Sequence, residues 1–171
     1  MSAPHIRQSL QAAADHLAAH PQDALSDDKA AVAVLEGGLR CRTEGPGGAL
    51  LFSDMPTAVG GGASAPTPGW LLRAALASCD ASLIAMRAAQ LGIALRQLEV
   101  AVDSRSDDRG VLGLDDAVPA GPLAVRVRVR LAADGATAEQ LHALVEWAER
   151  HSPVSDALRR AVPCRTEVEI A

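Results

Sequence analysis

Residues 67–92, TPGWLLRAALASCDASLIAMRAAQLG, constrain the chain more than any other stretch. Thr67 suits an N-cap, Pro68 suits a first helical position where its missing N–H would be unpaired anyway, and Gly92 is a C-terminal stop, so the end signals predict one long helix. Leu72, Leu76, Cys79, Leu83 and Met86 recur at three- and four-residue spacing as an apolar stripe, and Arg73, Asp80 and Arg87 form a narrow polar stripe beside it. A helix built from alanine and leucine almost all round needs cover on most sides, more than one small sheet supplies. By its surroundings alone, Cys79 reads as a small core residue.

The 171 residues suit one domain, or one domain with a short extension, and can bury a substantial core. Nearly half are hydrophobic (49%) but only 2% are aromatic, so the core must come from Ala, Val and Leu. Scarce aromatics and a net charge of −5 argue against a nucleic-acid partner. No uninterrupted apolar run reaches the roughly eighteen residues of a membrane span, and the first twenty residues do not read as a secretory leader, so no membrane role and a cytoplasmic location are expected. Cys41, Cys79 and Cys164 are odd in number and widely spaced, which fits reduced thiols rather than a disulfide framework.

Residues 5–19 carry Ile6, Leu10, Ala13 and Leu17 on one face and predict an amphipathic helix ending before Pro21. It reads either as an arm laid across a partner or a site, or as a patch on its own domain. His16 and His20 stand one turn apart, but the sequence shows no third ligand, so no metal is expected. From Asp27 to Asp54, period-two patterning with glycine turns predicts three short antiparallel strands. Cys41 shares a face with Leu39 and reads as buried, while Arg40 and Arg42 share the other. The glycine-rich 57–67 lacks the Lys-Ser/Thr ending of a phosphate loop and reads as a tight reversal into the long helix, with no cofactor implied.

Beyond the helix, the later half of 93–107, where Leu98, Val100 and Val102 alternate with Glu99, Ala101 and Asp103, and then 123–131 read as strands, with Arg126, Arg128 and Arg130 facing solvent and paired with Glu99 and Asp103. Thr137 with Gln140 forms a capping box for a helix ending near His151-Ser152-Pro153. A short helix from Ser155 to Val162 follows, and CRTEVEI closes the chain as a strand that buries Cys164.

The order Asp54-x-Pro56, Gly60 to Gly62, Pro66-x-Pro68 and then Ala74-Ala75-Leu76-Ala77-Ser78-Cys79 resembles the OsmC/Ohr family of thiol-dependent hydroperoxide reductases. The resemblance covers residues 30–171, leaving residues 1–29 as an N-terminal helical extension. It implies an α+β OsmC-like fold, antiparallel sheets wrapped around long central helices in an intertwined homodimer with thiol pockets at the interface. It also implies that Cys79 is the nucleophile. The family's resolving cysteine, in a Cys-Pro-Val context, is matched by Ser152 of Ser152-Pro153-Val154, so the usual two-cysteine cycle is missing. The acid that many members carry just after the proline is missing too, since Gly69, Trp70, Leu71 and Leu72 follow Pro68. The activating arginine is matched only loosely, by Arg40 or Arg42.

Two functions follow. One is an enzyme of oxidative-stress defence, a one-cysteine peroxidase in which Cys79 attacks an organic hydroperoxide and an external thiol reduces the product. The other is a non-catalytic relative that binds a hydrophobic small molecule in the interface pocket. A third reading leaves Cys79 a purely structural thiol.

Overall fold

A computed structural model describes residues 2–170. The chain divides into two compact units, one holding Arg7–Ala75 and the other the chain from Leu76 onward together with the chain up to Ile6. The first helix, α1, runs Ala3–Ala19, and none of its residues is buried.

In the Arg7–Ala75 unit, β1 (Val32–Gly37), β2 (Arg40–Glu44) and β3 (Leu50–Ser53) form the expected antiparallel meander in the order β1-β2-β3. Val34 lies opposite Arg42, and Cys41 lies opposite Leu35 on one side and Ser53 on the other. Two glycine turns close it, with Gly38 and Gly47 in the left-handed region (φ 56° and 68°) that side chains avoid. Apolar β1 stays exposed, as do Leu50 and Leu51 of β3. Cys41 is half-buried rather than buried, because the three-stranded sheet leaves much of its apolar surface uncovered.

The long helix α2 spans Pro68–Leu91 as its end signals predict. The Thr67 hydroxyl accepts from the Trp70 N–H at 3.2 Å, and Gly92 leaves the helix at φ 73°. By length and composition α2 could cross a membrane, a test that the core helix of a soluble protein also passes. Its buried positions are Leu76, Asp80, Ile84, Ala88 and Ala89. The four-residue row from Leu76 through Asp80 and Ile84 to Ala88 therefore faces inward, and Asp80 belongs to the buried face rather than to a solvated stripe.

In the C-terminal unit, β4 (Leu95–Arg105) and β5 (Ala124–Ala133) form an antiparallel ribbon, with the short α3 (Asp108–Val111) in the segment between them. Ile84 and Ala88 of α2 pack with Leu144 and Ala148 of α4 (Ala138–His151), and Leu98, Val100, Val129 and Leu131 of the ribbon complete the core. The capping box is present: Thr137 Oγ1 accepts from the Gln140 N–H and the Gln140 side chain accepts from the Thr137 N–H. On the ribbon's outer face Glu99 lies opposite Arg130 and Asp103 opposite Arg126, and Arg128 also reaches Asp103. Those guanidiniums, Arg126 foremost, hold the Asp103 carboxyl below its ordinary range.

Helix α5 (Pro153–Arg159) follows α4 with only Ser152 between them. Residues 161–170 then run without a strand, and Cys164 is exposed rather than buried. The alternation that marks this tail as strand-competent needs a free sheet edge to pair with, and the described residues of this chain provide no pairing for it.

Candidate functional site

Cys79 lies three turns into α2, which the segment 54–67 introduces. That segment is tied together by one carboxylate. Asp54 Oδ1 accepts from the N–H groups of Met55 (2.7 Å) and Gly62 (3.3 Å), and Oδ2 accepts from the Ser64 N–H (3.0 Å) and hydroxyl (2.7 Å). The Asp54 N–H donates to Pro66 O at 3.2 Å, joining the start of the loop to its end. These donors, those of Ser64 above all, hold the Asp54 carboxyl down at about 2, against an ordinary value of 3.8. Gly61 has no room for a side chain, since a Cβ there would sit 1.9 Å from Met55 O. The Asp-x-Pro and triple-glycine motifs are thus two halves of one loop: a carboxylate collecting N–H donors, and glycines that let the backbone approach.

Arg40 extends this network. Its guanidinium donates to Ser64 Oγ at 2.8 Å, lies 4.4 Å over the Phe52 ring, and pairs with Glu36 at 3.5 Å. Arg42 pairs with Glu36 at 3.0 Å and also with Glu44. Both arginines are therefore held by neighbours within their own unit.

Around the thiol, the C-terminal unit brings together two residues that stand 73 positions apart. Ser152 is the N-cap of α5, and its Oγ accepts from the Ser155 N–H at 3.2 Å. The same hydroxyl donates to Cys79 Sγ at 3.3 Å. Ser152 is fully buried, Ser155 is buried, and Cys79 is half-buried. The hydroxyl thus has one donor and one acceptor partner, and its proton is directed at sulfur.

Next along α2, Asp80 is 2% exposed, and its Oδ1 has no hydrogen-bond partner among the described residues. The polar-stripe pattern concealed this buried acid. Neither Cys41 nor Cys164 forms a disulfide, and Cys79 is likewise free.

The family model described as OsmC-like protein matches residues 60–167. The chain belongs to the OsmC-like protein family. No curated protein sequence matches it. Among solved structures it is similar to an organic hydroperoxide resistance protein OsmC from Legionella pneumophila, at 25% identity and a TM-score of 0.58 over 79% of this chain and 91% of that one. It is also similar to an OsmC-like protein from Mycoplasma pneumoniae (14% identity, TM-score 0.66, 80% and 91% covered) and to an organic hydroperoxide resistance protein from Elizabethkingia anophelis (19% identity, TM-score 0.58, 80% and 91% covered). The α+β OsmC-like fold, with its antiparallel sheets and long helix, is the fold of this chain.

Proposed function

We propose that this OsmC-like protein is a one-cysteine hydroperoxide reductase of oxidative-stress defence with Cys79 as its nucleophile. The observation that carries the reading is the contact between Cys79 and Ser152. The residue at the family's resolving position lies against the nucleophile's sulfur, as a resolving thiol must, but offers a hydroxyl in its place.

The chemistry balances without a second protein thiol. The Cys79 thiolate attacks one peroxide oxygen, an S–O bond forms as the O–O bond breaks, and the alkoxide leaves and takes a proton to become the alcohol. Cys79 is left as the sulfenic acid. An external thiol then condenses with the sulfenic acid, releasing water and forming a mixed disulfide. A second external thiol attacks that disulfide, so that Cys79 returns as thiol and the reductant leaves as its own disulfide. Ser152 donates a hydrogen bond to the attacking sulfur and cannot itself form a disulfide.

In this reading the cation that activates the thiolate is Arg40 or Arg42, as the family resemblance implies.

The working unit in this reading is a homodimer in a reducing, cytoplasmic setting, with residues 1–29 an extension of the OsmC-like domain. Exposed large apolar side chains on β1 and β3, at Trp70 and Leu72 of α2, and on the tail, where Ile170 is 93% exposed, support the dimeric reading.

Steady-state consumption of cumene hydroperoxide tests the function. Turnover should require a thiol such as dihydrolipoamide and should vanish in Cys79→Ser. Equal turnover in that variant would refute the assignment. The half-buried thiol and bare apolar faces also suit a binder of a hydrophobic molecule. That reading takes over if a fluorescent fatty acid binds tightly while peroxide is not consumed.

A further inference from the structure

The last turn of α1 and the turn after it assemble a donor set that the sequence shows only in part. His16 and His20 stand one turn apart, and their rings stack with centroids 4.7 Å apart and planes 25° apart. Pro21 stops the helix, since it has no N–H to continue the ladder. The chain then folds back through the 3-10 turn Pro21–Ala24, closed by the Asp23 N–H donating to His20 O at 3.0 Å. This reversal carries the Asp23 carboxylate back to the helix, where Oδ2 lies 2.9 Å from His16 Nε2. One donor atom from each of His16, His20 and Asp23 lies within 4.8 Å of the others.

A second feature fits the same purpose. His20 Nδ1 lies 3.1 Å from His16 O, a hydrogen bond that only an Nδ1–H can make. That bond holds the proton on Nδ1 and leaves Nε2 without a proton, its lone pair free to bind a metal. Metal-binding histidines are oriented in this way, with the second ring nitrogen donating to a carbonyl or carboxylate.

We propose that His16, His20 and Asp23 form a surface site for a transition-metal dication of the Zn²⁺ class. Two imidazoles and one carboxylate match that chemistry, and the exposed side chains leave room for water to complete the coordination. Tetrahedral coordination with bonds of about 2.0–2.1 Å sets donor atoms roughly 3.3 Å apart. The His16–Asp23 pair is already near that spacing, and rotation of exposed side chains closes the remainder. On binding, the proton that His16 Nε2 donates to Asp23 moves by way of solvent to Nδ1, and the freed Nε2 lone pair goes to the metal. The chain's net charge of −5 adds a favourable field. The three ligands lie outside the residues 60–167 matched by the family model, so the site belongs to this chain's N-terminal extension.

The test is calorimetric titration of the full chain with Zn²⁺, repeated on His20→Ala, Asp23→Asn and Cys79→Ser. Hydrogen exchange of residues 16–24 with and without Zn²⁺ gives an independent readout. The proposal expects one Zn²⁺ per chain, affinity lowered at least about tenfold in His20→Ala and Asp23→Asn, no change in Cys79→Ser, and slower exchange across 16–24 on binding. Unchanged affinity in His20→Ala, binding lost only in Cys79→Ser, or no binding to the full chain would each overturn it.

Discussion

Under the proposed one-cysteine mechanism, replacing Ser152 by cysteine should convert the site into a two-cysteine site. Ser152 Oγ lies 3.3 Å from Cys79 Sγ, whereas a disulfide needs roughly 2.0 Å between sulfurs, a difference that small side-chain rotations can close. The bridge would close a loop of 73 residues, for which chain entropy gives a stabilisation on the order of 4 kcal/mol. Opposing this, the larger sulfur enters a fully buried position, at about 1–3 kcal/mol. The lost oxygen cap of α5 removes about 1 kcal/mol more. The reduced variant should therefore be less stable than the parent, and its oxidised form should recover most or all of the loss. The assay is intact mass and free-thiol count after one equivalent of cumene hydroperoxide, followed by thermal melts of both redox forms. The account expects a mass loss of two hydrogens, no sulfenate left to trap, and a higher Tm for the oxidised form. A variant that folds but still accumulates a trappable sulfenate on Cys79, with the introduced thiol free, would refute the placement of Ser152 at the resolving position.

Other perturbations probe the parts around this site. Because the folded state holds Asp54 at about 2 against an ordinary 3.8, its contribution is complete above the ordinary value and is lost as pH falls through that window. Asp54→Asn should lower stability at neutral pH and flatten the acid side of the stability profile between pH 4 and 2, read by chemical denaturation at each pH. Gly61→Ala forces a Cβ to 1.9 Å from a backbone oxygen, so the loop must rearrange. A drop in Tm of several degrees is expected, and an unchanged Tm would contradict the packing described. Ending the chain after Val162 removes the exposed, unpaired tail; under the proposed homodimer, sedimentation should then show weaker dimerisation with the fold retained.

Much of this architecture can be read directly from residue pattern. Thr67, Pro68 and Gly92 mark the ends of α2, Thr137 and Gln140 mark the start of α4, and the Val/Arg alternation of β5 gives both its face and its ion pairs. These features are local, and local chemistry decides them. Asp80 shows where pattern fails. A helix apolar nearly all round has several candidate buried faces, and packing selects the row of Leu76, Asp80, Ile84 and Ala88, which no helical periodicity can single out. The tail fails for a different reason, since alternation marks strand competence and pairing needs an edge to receive it. The Cys79–Ser152 contact spans 73 residues, and only the family motif linked the two in sequence. Asp23 was hidden because its approach to His16 depends on the reversal at Pro21, beyond the end of the helical pattern.

What Cys79 does when it meets a hydroperoxide decides whether this chain is a peroxidase. The most direct test is intact mass of the reduced chain after brief exposure to cumene hydroperoxide with a dimedone-type sulfenate trap, alongside Cys79→Ser. The account predicts rapid addition of one trap molecule per chain, at Cys79 and absent from the variant. A folded chain that consumes no peroxide and takes up no trap at Cys79 would contradict it.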